Sequence, residues 1–225
     1  TAGSEEKLTG SLRFGGNLGN MGNYRIYGKY LDRDAFVNKA GDDTWDDHDL
    51  QRCGFRIDLQ ANIIQALTIQ GDIYDGTSGG QVTYPILQPF YQRTENGDMD
   101  VDGGNLLARY EHHFANNSEL SLQTYYDLNN RNMFVGEIKM ETFDLDIQHR
   151  LNWGTSQEIT WGLGYRYIKH RVSLTQPDIV YLNNHKIDLF SAFFQDEITL
   201  IPERLKLIIG SKFEDNEFTG FEYQP

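Results

Sequence analysis

The sequence predicts an all-β chain: a segment of about ten strands from an antiparallel up-and-down transmembrane β-barrel, with short periplasmic turns and long extracellular loops. Three observations carry this expectation. First, strand-length segments alternate apolar and polar residues. Leu106, Ala108, Tyr110, His112 and Phe114 interleave with Leu107, Arg109, Glu111 and His113. Phe143, Leu145 and Ile147 interleave with Asp144, Asp146 and Gln148 in the same way. A period of two sends the two sets to opposite faces of a strand. Second, the connectors are alternately short and long. Third, aromatic content is 13% with 22 glycines, which suits strands, aromatic girdles and turns, while no stretch approaches the ~18 apolar residues of a transmembrane helix.

The elements read in order as hairpins. Residues 7–16 and 23–33 form the first, joined by Asn17-Leu18-Gly19-Asn20-Met21-Gly22. Residues 50–62 and 65–74 form the second with almost nothing between them. Residues 105–114 and 119–128 are joined by Ala115-Asn116-Asn117-Ser118, and 139–153 and 158–172 by Gly154-Thr155-Ser156-Gln157. The last pair, 187–200 and 205–219, turns through Ile201-Pro202-Glu203-Arg204. Asn, Gly, Ser and Pro supply the turn chemistry. The intervening connectors, residues 34–49, 75–104, 129–138 and 173–186, are expected to be long loops. Connectors inside compact soluble domains usually run ~4–6 residues, whereas long ones are ordinary on the outer side of a membrane barrel. The chain is expected to be one domain spanning residues 1–225.

The alternation assigns Leu12, Phe14, Tyr24, Ile26, Tyr30, Phe55, Ile57, Leu59, Leu67, Ile69, Ile73, Leu120, Leu122, Tyr126, Leu163, Tyr165, Leu207, Ile209 and Phe213 to one apolar face. The other face receives Arg13, Arg25, Lys29, Arg56, Asp58, Gln70, Asp72, Arg109, Glu111, Gln123, Asp144, Asp146, Gln148, Arg150, Arg166, Lys212 and Glu214. Periodicity alone does not say which face points in. A soluble sandwich or lipocalin would turn the apolar face inward. Mixed charges on nearly every strand suit a wet lumen whose ions pair across strands, with the apolar face in lipid.

The net charge is −13, with acids concentrated in connectors such as Asp42-Asp43-Thr44-Trp45-Asp46-Asp47-His48-Asp49. This argues against nucleic acid as a partner, since that needs a basic surface. Cys53 is the single cysteine, so no intrachain disulfide forms, and its phase with Phe55, Ile57 and Leu59 makes it an apolar filler.

Several local stretches resemble TonB-dependent outer-membrane receptors. One is Gly103-Gly104-Asn105-Leu106-Leu107-Ala108-Arg109-Tyr110 followed by Ser121-Leu122-Gln123-Thr124-Tyr125-Tyr126-Asp127. Others are Tyr24-Arg25-Ile26-Tyr27-Gly28-Lys29-Tyr30-Leu31-Asp32-Arg33-Asp34, and Phe193-Phe194-Gln195-Asp196-Glu197-Ile198 with Leu205-Lys206-Leu207-Ile208-Ile209-Gly210-Ser211-Lys212-Phe213-Glu214. The resemblance implies a receptor in the outer membrane of a Gram-negative bacterium that imports a scarce ligand such as an iron-siderophore or cobalamin. It implies energy from the TonB complex acting through a plug domain, and a barrel of roughly 22 strands. The chain departs from that pattern: it shows no plug, no TonB-box segment, under half the strands, no leader, and an end at Tyr223-Gln224-Pro225 without a terminal-strand aromatic. It is therefore expected to be the N-terminal portion of a receptor barrel from a larger protein. Two other classes compete: a complete small outer-membrane barrel acting as an adhesin or rim protease, and a soluble β-sheet binding protein.

The candidate sites are few. Tyr84, Phe90, Tyr91 and Tyr181 fall in the expected long connectors, where a receptor contacts its ligand. Asp98, Asp100 and Asp102, followed by Gly103, match the opening of an EF-hand calcium loop, in which oxygens converge and Gly permits the bend. The twelfth position, which should be a bidentate Glu, is Arg109, so a Ca²⁺ site here would be weak or the segment a plain acidic loop. His112 and His113 are neighbours on a strand and point to opposite faces, which disfavours a shared metal. Asp46, Asp47 and His48 suggest a protease rim by composition alone. No Ser/His/Asp, Cys/His or phosphate-loop arrangement stands out, so transport is expected rather than catalysis.

Overall fold

A computed structural model describes residues 3, 6–62, 64–176 and 179–225; the side chains of 61, 62, 174–176 and 179–181 lie outside the described set. Every regular element is a strand: β1 (Leu8–Asn17), β2 (Gly22–Arg33), β3 (His48–Asn62), β4 (Gln65–Pro85), β5 (Gln92–His113), β6 (Glu119–Met133), β7 (Gly136–Trp153), β8 (Gln157–Gln176), β9 (Ile179–Ile201), β10 (Leu205–Asn216) and β11 (Gly220–Gln224). They form one antiparallel sheet in sequence order, an uninterrupted meander. Among the described residues β1 pairs with β2 alone and β11 with β10 alone, so the sheet is open. The ladder that would close a complete small barrel, between β1 and β10 or β11, does not form among them.

The ladders preserve the two faces expected from alternation. One transverse row runs Ile57, Ile69, Ala108, Thr124, Leu145, Tyr165 and Phe190. The adjacent row on the other side runs Arg25, Arg56, Gln70, Leu107, Tyr125, Asp144 and Arg166. Neither side is covered. Phe55, Ile57 and Leu59 are half-exposed, as are Arg56 and Asp58. Among the described residues only Tyr84, Val135 and Ile159 are apolar and buried, at 5%, 7% and 8% exposure. The accessible surface of 15358 Å² exceeds the roughly 10,500 Å² typical of a compact soluble chain of 25.9 kDa. A single sheet with both faces open has no interior core of its own. Its apolar side must be solvated by something other than this chain.

The apolar band crosses the register obliquely. The row Leu59, Leu67, Tyr110, Leu122, Ile147, Leu163, Ala192, Phe213 and Tyr223 is apolar throughout. Further outward, Cys53, Ile73, Gly104 and Leu128 are followed by Glu141, Lys169 and Lys186. The band therefore slides toward the short-turn end from β3 to β10. A horizontal slab does this when it cuts strands that tilt, as the strands of a barrel must. At the short-turn edge of the band Tyr110, His112, Phe114, His149 and Trp161 form a ladder of ring contacts, with centroids 4.2–6.2 Å apart. Amphipathic rings at that level match an interfacial girdle.

Three of the four expected long loops are strand instead. Residues 75–85 and 92–104 extend β4 and β5 into a hairpin whose free tip is only 86–91. Residues 129–138 extend β6 and β7 to a two-residue turn at Phe134 and Val135. Residues 173–176 and 179–186 continue β8 and β9. The backbone of these stretches pairs with its neighbour although the side chains no longer alternate by polarity. Residues 34–47 alone form an irregular connector, held by Asp46, whose carboxylate accepts from the Phe36 amide and the Thr44 hydroxyl. The final expected strand, 205–219, breaks at Asn216. Its side chain accepts from the amides of Phe218 and Thr219, and Gly220 at φ 71° starts the eleventh strand. The second open edge is therefore β11 together with the unpaired part of β10.

Candidate ligand-passage face and outer rim

Tight hairpins set which polar side chains meet. The β3–β4 ladder places Gly54 opposite Asp72, and β4–β5 places Asp72 opposite Asn105. Three side chains converge on the Asp72 carboxylate. Arg52 donates from Nε at 3.0 Å and from Nη2 at 2.7 Å, Asn105 donates from Nδ2 at 3.2 Å, and the Tyr27 hydroxyl donates at 3.2 Å. The carboxylate is 12% exposed. A nearly buried charge is tolerated only when paired and hydrogen-bonded, and here both oxygens are. Gly54 makes room: a Cβ there would lie 2.7 Å from the Asp72 Cβ and 2.8 Å from the Tyr27 ring.

Similar clusters repeat along the polar face. Arg56 grips both oxygens of Asp58 from Nε at 3.0 and 2.8 Å and reaches Gln70, while Thr68 donates to Asp58 at 2.8 Å. Further round, Tyr125 donates to Asp127 at 3.0 Å, Arg166 to Asp144 at 2.7 Å, and Arg150 to Glu119 at 2.7 Å. Asn129 donates to the Tyr74 hydroxyl, and Lys206 pairs with Glu197. A face that carries this many half-exposed, internally paired ions can line water or a polar neighbour but not hydrocarbon.

At the outer rim the expected contact residues separate. Phe90 and Tyr91 sit together at the β4–β5 tip, 91% and 72% exposed, with φ of 83° and 50°. A non-glycine residue in that region costs about 1–3 kcal/mol, so the tip holds two aromatic rings outward against its own backbone preference. Tyr84 is not in a loop. It lies on β4 opposite Arg93, one pair from the end of the hairpin, and is buried. Tyr181 lies on β9, and its side chain is outside the described residues. The rim is packed from two sides. The Phe134 ring covers Gly97, where a Cβ would lie 2.6 Å from its Cδ1, and the Gly79 amide donates to the Asp47 carbonyl at 2.7 Å.

Asp98, Asp100 and Asp102 lie within β5 rather than in a loop, at alternate positions on one side of the strand. Asp100 accepts from Thr77 at 3.2 Å, and Asp102 accepts from Asn130 at 2.8 Å. Alternate side chains of an extended strand stand about 7 Å apart and do not converge. Among the described residues no three His, Cys, Asp or Glu side chains gather as a metal site. His112 joins the aromatic ladder, while His113 faces the other side with Nδ1 3.9 Å from Glu119. His48 lies at the start of β3, with Nδ1 3.5 Å from the Asp46 carbonyl.

Neither protein-family models nor curated protein sequences match the chain. Solved structures do. The siderophore receptor PirA from Pseudomonas aeruginosa superposes with a TM-score of 0.66 at 14% identity, over 95% of this chain and 34% of that one. The copper transporter OprC gives 0.63 at 13%, over 92% and 36%. The ferric enterobactin receptor PfeA from Pseudomonas aeruginosa, in complex with enterobactin, gives 0.61 at 13%, over 96% and 38%. The chain thus spans between 34% and 38% of the length of these structures. At these identities the likeness shows the fold: an open antiparallel meander with the strand arrangement found in outer-membrane receptors.

Proposed function

We propose that this chain is part of the wall of a receptor barrel in the outer membrane of a Gram-negative bacterium, importing a scarce small ligand. The observation that carries this reading is the pair of faces. One continuous oblique apolar band and one continuous ion-paired face lie on a single open sheet that closes on nothing within the described residues. The apolar side meets lipid, the ion-paired side meets the aqueous lumen, and β1 and β11 meet further strands. The favoured ligand is a metal chelate such as an iron-siderophore, with cobalamin as the alternative cargo. The similar structures described as siderophore receptors support that choice. Transport energy would come from the TonB complex through a plug domain. Phe90 and Tyr91 at the rim are the residues proposed to touch ligand first. Tyr181 belongs to the same proposal, and Tyr84 supports the hairpin that carries the tip.

The test is uptake by the full-length protein in an outer-membrane host lacking its own receptors. Labelled ferric siderophores and cobalamin are supplied with and without a protonophore. Protonophore-sensitive accumulation of one of them supports the reading. Accumulation of none, with the protein folded in the outer membrane, contradicts it.

A further inference from the structure

On the apolar side of the sheet the outer border of the band is divided by charge. On β2 to β5 the border residues are Asp32, Asp49, Asp75 and Asp102. On β7 to β9 they are Lys139, Lys169, Arg171 and Lys186. Two of these cations are committed: Lys139 to Glu137 at 2.7 Å and Lys169 to Glu141 at 3.2 Å. Asp188, one rung inward of Lys186, accepts from the Tyr165 hydroxyl at 2.6 Å. Arg171 donates to the neutral Asn184 at 3.1 Å, and neither it nor Lys186 has an ion pair among the described residues. Both are exposed.

Lys186 stands directly opposite Lys169 in the β8–β9 ladder. Like charges in that relation destabilise a sheet. In a chain of net charge −13, Lys186 and its diagonal neighbour Arg171, neither in an ion pair among the described residues, and both beside the already paired Lys169, call for an anion from elsewhere. Their level defines the anion. Lys169 and Lys186 lie one rung outward of Tyr167, and Arg171 lies two rungs outward, which is about 7 to 13 Å. Tyr167 is the last apolar rung of β8 on this side, and with the hydrocarbon edge set there by the lipid-facing reading these cations fall in the headgroup layer. Basic side chains at that level bind anionic headgroups, and a guanidinium takes a phosphate with two parallel hydrogen bonds.

We propose that Arg171 and Lys186, flanked by Lys169 and Lys139, form a clamp for the phosphate of an outer-leaflet lipid headgroup. The inference rests on the reading that the apolar side faces lipid. The acidic border on β2 to β5 repels the same headgroups, so the clamp orients bound lipid toward one flank of the sheet.

Native mass spectrometry of the full-length protein in detergent tests this with three probes: bis-phosphorylated lipid A, its dephosphorylated counterpart, and inorganic phosphate as competitor. The parent should retain the phosphorylated lipid preferentially. Arg171→Ser with Lys186→Ser should lower that retention on the order of tenfold, the loss expected of two headgroup-facing cations. Lys39→Ser, in the connector after β2, should leave it unchanged. Equal retention in parent and double variant overturns the clamp, as does equal retention of the phosphorylated and dephosphorylated lipids. Displacement by millimolar inorganic phosphate shows a free-phosphate site and also overturns it. A fluorophore at position 163, quenched by brominated acyl chains, separates the two levels. Quenching without headgroup preference defeats the clamp alone, whereas no quenching defeats the lipid-facing assignment beneath it.

Discussion

Arg52 and Asp72, 20 residues apart in sequence, meet through two parallel hydrogen bonds of 3.0 and 2.7 Å on the polar side of adjacent strands. One residue from Asp72 the chain points the other way: Ile73 is exposed on the apolar side. On the proposed reading the two sides of one strand live in different solvents, and substitutions should report this. Asp72→Asn has one carbonyl oxygen, so it keeps an acceptor for either Tyr27 or Asn105 but not both. It also loses the pair with Arg52, which is 43% exposed and can be rehydrated, so the cost is about 1 kcal/mol. Ile69→Arg places a charge in the middle of the apolar band and should cost ~2–4 kcal/mol. Folding yields of the full-length protein in lipid should therefore fall much further for Ile69→Arg. Equal yields would contradict the assignment of sides.

Gly22 begins β2 at φ 153°, and a Cβ there would overlap the Asp58 carbonyl oxygen on β3. The backbone of β3 cannot yield as a flexible side chain can. Gly22→Ala should destabilise the β1–β2–β3 corner by about 1–3 kcal/mol. Gly19→Ala has open space but a φ of 61°, so its cost is local strain alone. Urea midpoints in detergent would show the larger loss for Gly22→Ala, and the reverse order would contradict the clash.

The connector after β2 should loosen in acid. The Lys7 ammonium and the Ala35 amide hold Asp34 below the usual carboxylate range. The Thr44 hydroxyl and the Phe36 amide do the same for Asp46. A depressed folded pKa contributes stability above the unfolded value of about 3.9 and loses it as pH falls through the folded value. The Lys7 pKa is raised by Asp34, so its contribution is lost only in strong alkali. An NMR titration of the carboxyl carbons should place both midpoints below the ordinary aspartate value of 3.8. Midpoints at or above that value would show that the connector does not hold these contacts in solution.

Calorimetry with calcium tests the acidic rungs of β5. With Asp98, Asp100 and Asp102 spread along an extended strand, the expected result is no saturable heat. Saturable heat that disappears in an Asp98→Ala and Asp100→Ala double variant would show that the hairpin bends to gather them.

How much of this was legible in the sequence depends on whether the two faces differ in polarity. Where they do, as at Leu67, Ile69 and Ile73, alternation located the strands and sorted the faces residue by residue. Beyond the band, at Thr77, Ser78, Gly79 and Gly80, both faces are polar and the alternation vanishes. The backbone still pairs with residues 97–100, because ladder hydrogen bonds do not depend on side-chain polarity. The long hairpins therefore read as loops. The Asp72 cluster was half visible. Asp72 carried a charge that marked its face, while Tyr27 and Asn105 are uncharged, and only the register joins them to it.

The proposed function has the apolar side of this sheet facing lipid and the ion-paired side facing water, and everything proposed for the chain depends on that orientation. Spin labels placed singly at 69, 147 and 163, and at 70, 123 and 148, test it in the full-length protein in bilayers, with Cys53→Ala as background. The first three positions should collide with oxygen and be shielded from an aqueous nickel chelate, and the second three should show the reverse. Nickel access at 69, 147 and 163, with oxygen-rich collisions at 70, 123 and 148, would contradict it.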